Sequence, residues 1–201
     1  MELETIKRVL LRAFVRVGYW PSLLAGRLMY KLGVWQQWDA IDEHVILGAI
    51  PVWGDLKRLR ALGVIAVINL CEEFPGEPVK LAALGMTQLH LPTLDYHCPS
   101  LENIYKALDF IRSRSTAESA PCESPAAAAA PRLRGKVYIH CKAGRGRSAA
   151  VALCYLMVSR GLTAADAARR LKQLRPAVRR GINEQGPIRA FEAGWREKRA
   201  K

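Results

Sequence analysis

The sequence predicts an α/β fold, a mostly parallel central sheet flanked by helices, and three observations carry the prediction. Short β-rich runs alternate with helical patterns along the chain, which builds a layered domain around such a sheet. The run from Val64 to Leu70 has no polar alternation, so it is a strand buried on both faces. Finally, the β-rich Val137–Ile139 leads through a Gly-containing segment into the apolar run Ala149–Val158, which is too long for a typical strand. That pattern is a strand entering a helix through a tight turn.

Residues 1–35 form a basic amphipathic segment ahead of a domain of residues 36–201. Ile6, Val9, Leu10, Ala13, Phe14 and Val17 share one helical face, and Lys7, Arg8, Arg12 and Arg16 share the other, where Leu11 and Val15 intrude. Gly18-Tyr-Trp-Pro21 follows, then Leu23, Leu24, Leu28 and Met29 with Arg27 and Lys31. A helix lying on a membrane surface with snorkelling cations fits this pattern, and so does a helix packed on a core. The longest uncharged run, Val17–Gly26, is far shorter than the ~20 residues a membrane span needs. No secretory signal is evident, and the pattern partly suits organelle import, although Glu2 and Glu4 argue against a clean import sequence.

The expected order of the domain is strand 45–49, helix 55–62, strand 64–70, strand 86–91, helix 101–113, strand 136–140 and three helices. Leu101, Ile104, Tyr105, Leu108 and Ile111 mark the face of the 101–113 helix, which leaves Asp109 solvated. Between residues 114 and 134 the chain is rich in Ala, Pro and Ser and reads as a disordered surface insertion, whose length costs only slowly growing entropy. Thr163-Ala-Ala-Asp166 is a capping box opening a helix whose buried stripe is Ala167, Ala168, Leu171 and Leu174. The nearby Arg169, Arg170, Lys172, Arg175, Arg179 and Arg180 read as charges solvating helix faces.

With 201 residues, about half of them apolar, the chain buries a substantial core without staples. Its five cysteines (71, 98, 122, 141 and 154) are odd in number and widely spread, so they imply a reducing compartment rather than a disulfide framework. Neither they nor the four histidines show metal-ligand spacing, and no cofactor is expected. The net charge of +13 calls for an anionic partner. An anionic membrane surface or a phosphorylated ligand meets that demand; nucleic acid is the competing reading, but no nucleic-acid-binding motif or aromatic stacking series accompanies the charge.

The chemistry concentrates in Val137-Tyr-Ile-His140-Cys141-Lys142-Ala143-Gly144-Arg145-Gly146-Arg147-Ser148. A thiol at a helix entrance is favoured as the thiolate, and backbone N–H groups converging in a nest there hold a dianionic phosphate. Residues 142–146 supply that nest, and the planar guanidinium of Arg147 can bond two phosphoryl oxygens at once. A buried structural cysteine flanked by surface arginines is the bland alternative. Cleaving a phosphate ester also needs a proton for the leaving oxygen. Asp95, on the loop after the 86–91 strand, is the carboxyl placed to give it, and a simple turn Asp is the alternative.

His140, Cys141, Arg147 and Ser148 match the signature His-Cys, five residues, Arg, then Ser or Thr, and so resemble the cysteine-based protein tyrosine phosphatase superfamily. The resemblance implies the dual-specificity phosphatase fold. It also implies that Cys141 forms a phosphocysteine, that Arg147 holds the phosphoryl group, that Ser148 helps sulfur leave and that His140 orients the loop. Ile41-Asp42, Leu47-Gly-Ala-Ile-Pro51, Gly63-Val-Ile65 and Ile68-Asn-Leu-Cys-Glu72-Glu73-Phe74 narrow it to mitochondrial phosphatases acting on phosphatidylglycerophosphate, with plant-type relatives most similar. In that family Glu-Glu-aromatic-Glu is the motif, and here Pro75 stands at the fourth position with Glu77 nearby. Glu72 and Glu73 are then supporting residues, with a plain acidic turn after a buried strand as the alternative, and Gln185 is a candidate for positioning the hydrolytic water.

The resemblance further implies an intracellular, mitochondrial inner-membrane location, or a plastid, in cardiolipin synthesis. A dual-specificity phosphatase acting on phosphoproteins and a non-catalytic phosphate-binding module are the alternatives. The oligomeric state is open.

Overall fold

The computed structural model describes residues 19–33, 35–52, 54–115 and 135–200. The amphipathic pattern over residues 1–18 and nearly all of the Ala/Pro/Ser-rich insertion lie outside them. The described elements are α1 (Tyr19–Lys31), β1 (Trp38–Ala40), β2 (Val45–Gly48), α2 (Asp55–Ala61), β3 (Val64–Cys71), α3 (Pro78–Ala83), β4 (Thr87–Thr93), α4 (Leu101–Ser115), β5 (Lys136–His140), α5 (Arg147–Arg160), α6 (Ala164–Leu174), a 3-10 turn (Ile182–Glu184) and α7 (Gly186–Ala200).

The sheet has strand order β1-β2-β5-β3-β4. β1 runs antiparallel to β2, and every other neighbouring pair is parallel. This is the expected mostly parallel sheet, with β5 inserted between β2 and β3. β3 is buried along all its length, as its unbroken apolar run requires. Alternate residues feed two cores. Leu47, Ile68, Leu70, Val137 and Ile139 face the layer of α4–α7, whereas Ile46, Val67 and Tyr138 face Leu56 and Leu59 of α2 and Leu81 of α3.

α5 is the central helix, buried from Arg147 to Met157, which explains why its sequence is apolar all round. The capping box forms: Thr163 Oγ1 accepts from Asp166 N–H at 3.1 Å, and Ala167 and Leu171 are buried. Two elements were not expected. β1 has three residues, too few to show a period, and α3 has six.

α1 belongs to the packed body. Leu23 is buried, and Arg27, expected to snorkel into a membrane surface, instead pairs with the buried Asp55 and donates to Val52 O at 3.2 Å. A buried carboxylate needs such a partner. No helix among the described residues is long and apolar enough on its own to cross a membrane.

Four parallel strands end at the same edge of the sheet. β2 leads there to Ile50, β3 to Glu72-Glu73, β4 to Asp95 and β5 to Cys141. Ligands of parallel sheets bind in the crevice at this edge.

Candidate active site

β5 delivers Cys141, and the chain then turns through Lys142–Gly146 into the first turn of α5 at Arg147. Gly144 makes this turn with φ +68, and a Cβ there would stand 2.5 Å from the carbonyl of Gly48. Only glycine combines that backbone with so close an approach. The carbonyls of the loop are all tied off. Lys142 O accepts from Ile50 N–H (3.2 Å) and Arg145 O from Arg179 N–H (2.8 Å). Ala143 O and Gly144 O accept from Arg175, at 3.1 and 2.8 Å.

Cys141 is 3% exposed, with the Ser148 hydroxyl donating to its Sγ at 3.2 Å. Burial alone pushes its thiol up. The Arg147 charge, the Ser148 hydroxyl and the backbone N–H groups of Ser148 and Arg145 outweigh that and hold it below the usual thiol range. Burial dominates at the other described cysteines, pushing Cys98 up to about 11 and Cys71 and Cys154 further. Cys141 alone among them is pushed toward the thiolate.

Arg147 is 2% exposed and anchored on one side. Its Nη1 and Nη2 donate to the two carboxylate oxygens of Glu73, each at 2.7 Å, and Nη1 also to Thr93 O at 2.9 Å. Asp95 Oδ1 lies 3.0 Å from Nη2. Burial disfavours both charges, yet their pairing lowers the Glu73 carboxyl and raises Arg147. Nε of Arg147 is buried with no partner among the described residues, a donor left for an anion in the nest.

Asp95 sits on a strained turn. Tyr96, next to it, is in the left-handed region at φ 66, uncommon for a non-glycine residue, and its N–H donates to Asp95 Oδ1 at 3.0 Å. The solvated position expected of Asp109 is observed, with its side chain 70% exposed.

His140 is buried against Tyr138, ring centroids 5.7 Å apart. Its Nδ1 meets the Cys141 carbonyl at 3.4 Å; the carbonyl can only accept, so Nδ1 carries the proton. Burial, aided by the Arg147 charge, pushes the ring down to about 3, so it is neutral. Because the unfolded ring takes a proton near 6.5, stability is full above that pH. It falls by on the order of 4 kcal/mol as pH drops toward 3. The His140→Asn variant should lose this slope in urea titrations between pH 7 and 4; an unchanged slope would place the acid sensitivity elsewhere.

Glu72 is half-buried beside Glu73, and Gln185 is half-buried with its backbone carbonyl capping α7 through Ile188 and Arg189 N–H. Sequence reasoning missed two supports. Asn69 is a fully buried amide in β3; its Nδ2 donates to Phe74 O and its Oδ1 accepts from Cys71 N–H, which shapes the loop carrying Glu73. A lone amide inside an apolar strand was the available signal. Arg175 corrects the expectation of a solvated charge. It is 1% exposed because it follows the last residue of α6 in extended backbone, where its side chain turns inward onto Gly144 O, Ala143 O and Asp39.

The profile of the family "Dual specificity phosphatase, catalytic domain" matches residues 124–193. The phosphatidylglycerophosphate phosphatase PTPMT2 of Arabidopsis thaliana is 38% identical over 180 residues, covering 87% of this chain and 72% of its own. PTPMT1 of the same plant, also a phosphatidylglycerophosphate phosphatase, is 32% identical over 87% of this chain, which spans only 48% of that longer protein. Among solved structures, the active form of Tk-PTP superposes with a TM-score of 0.63 at 26% identity, covering 79% of this chain and 98% of its own. With the signature residues assembled around one nest, this chain belongs to the phosphatidylglycerophosphate phosphatase group of the dual-specificity phosphatase family.

Proposed function

We propose that the enzyme hydrolyses the terminal phosphomonoester of phosphatidylglycerophosphate to phosphatidylglycerol through a phosphocysteine. The observation that carries the chemistry is Cys141, its thiol held below the usual range, set in a nest whose carbonyls all face outward. What carries the substrate is the likeness to plant enzymes named for it.

In the first step Cys141 Sγ attacks phosphorus and the P–O bond to the glycerol breaks, with the Asp95 carboxyl passing its proton to the departing oxygen. Arg147 and the N–H groups of residues 142–146 hold the equatorial oxygens. In the second step water, positioned by Gln185, attacks phosphorus and gives a proton to Asp95. The P–S bond breaks, and the Ser148 hydroxyl stabilises the returning thiolate. Inorganic phosphate leaves, and no metal is required.

The reading places the enzyme at an anionic membrane of the mitochondrion, with the net charge of +13 and the exposed Leu24, Leu28, Leu32 and Trp35 as support. The test is kcat/KM on phosphatidylglycerophosphate in mixed micelles against phosphotyrosine and phosphothreonine peptides. A lipid preference of a hundredfold or more, about 2.7 kcal/mol, is expected. A preference for peptides would move the function to protein dephosphorylation.

A further inference from the structure

We propose that Arg175 is a positioning residue for phosphoryl capture, holding the peptide groups of the catalytic loop so that their N–H bonds face the substrate. In a trans peptide the C=O and the following N–H point in opposite directions. The outward carbonyls of Lys142, Ala143, Gly144 and Arg145 therefore fix the N–H groups of residues 143–146 inward. Ile50 and Arg179 N–H groups secure the first and last of these, and among the described residues Arg175 secures the two in the middle.

The Arg175 guanidinium is itself locked. Nη1 donates to Asp39 Oδ2 at 2.5 Å and to Gln36 O at 3.2 Å, so one fork ties the start of the sheet to the nest. Four acceptors at separate corners suit a planar guanidinium with five N–H donors and cannot be matched by an ammonium at a single point. Only a fork pressed against the loop fits there, because even a Cβ on Gly144 would stand 2.9 Å from Nη2. The same web gives the edge strand β1 a purpose, since its Asp39 is the charge that compensates a buried arginine.

The inference rests on the nest being the phosphoryl site, and inorganic phosphate together with the Cys141 thiol reads the nest without reference to any lipid. In Arg175→Lys and Arg175→Ala, the inhibition constant of inorganic phosphate should rise tenfold or more. The pH midpoint of Cys141 alkylation by iodoacetamide should move up by about one unit, because inward N–H dipoles favour the thiolate. Asp39→Asn should show smaller shifts of the same sign, and Arg169→Ala, at an exposed position, none.

If Arg175→Ala does not fold, Arg175→Lys and Asp39→Asn carry the test. Variants that lose urea stability while the phosphate constant stays within twofold and the alkylation midpoint within 0.2 of a unit would overturn the proposal, leaving Arg175 a structural residue. Wild-type enzyme whose Cys141 is not protected by phosphate would overturn the nest assignment beneath it.

Discussion

Cys141→Ser is expected to lower kcat by a factor on the order of 10⁴ or more while leaving inorganic phosphate bound within a few-fold of wild type. A serine hydroxyl is a far poorer nucleophile than a thiol at neutral pH without a strong adjacent base, and His140, whose ring burial holds down to about 3, is too weak to be one. The binding machinery is separate from the nucleophile, since it consists of loop N–H groups and the Arg147 guanidinium. Binding should therefore survive. The serine variants of Cys71, Cys98 and Cys154, thiols that burial keeps protonated, should turn over normally if they fold. Steady-state assays on the lipid and on an aryl phosphate would check both halves; more than about one percent residual kcat in Cys141→Ser, some 2.7 kcal/mol of lost stabilisation, would remove the covalent mechanism.

The largest stability effect is expected at Glu73. Its side chain is 5% exposed and that of Arg147 2%, so removing the carboxylate leaves a buried guanidinium facing only Asp95 and the Thr93 carbonyl. Breaking one side of a buried pair costs about 3–5 kcal/mol, and the remaining Asp95 contact argues for about 3. For a chain of this size Glu73→Ala should then melt about 6–12 °C lower. Inorganic phosphate should recover part of that, because an anion in the nest re-pairs Arg147. Differential scanning calorimetry with and without phosphate reads both. A melting point within 2 °C of wild type would show that Glu73 is not the anchor of Arg147.

Sequence exposed what is local. Cys141 through Ser148 are consecutive, so the nest, the helix entrance and the guanidinium could be read from spacing alone, and Asp95 from its place just after a strand. The missed supports are long-range. Arg175 reaches Asp39 across 136 positions and Glu73 reaches Arg147 across 74, and no periodicity reports which charged residue will find a buried partner. Arg175 was hidden by its company, standing near Arg169 and Arg170, which do lie exposed on α6, while Lys172 turns onto the carbonyls of Pro176 and Val178. Arg27 misled in the same way: a cation on an apolar helix looks interfacial until the fold supplies Asp55. β1 and α3 escaped because three and six residues do not complete a detectable pattern, and their identity comes from the sheet edge and the β3–β4 crossover they occupy.

The covalent step is tested most directly by stopping turnover of labelled phosphatidylglycerophosphate in denaturant within milliseconds and mapping the label. The account predicts one phosphoryl group on the peptide carrying Cys141, formed and lost at rates that accommodate kcat, and absent from Cys141→Ser. Turnover with no labelled enzyme, or with the label on another side chain, would contradict it.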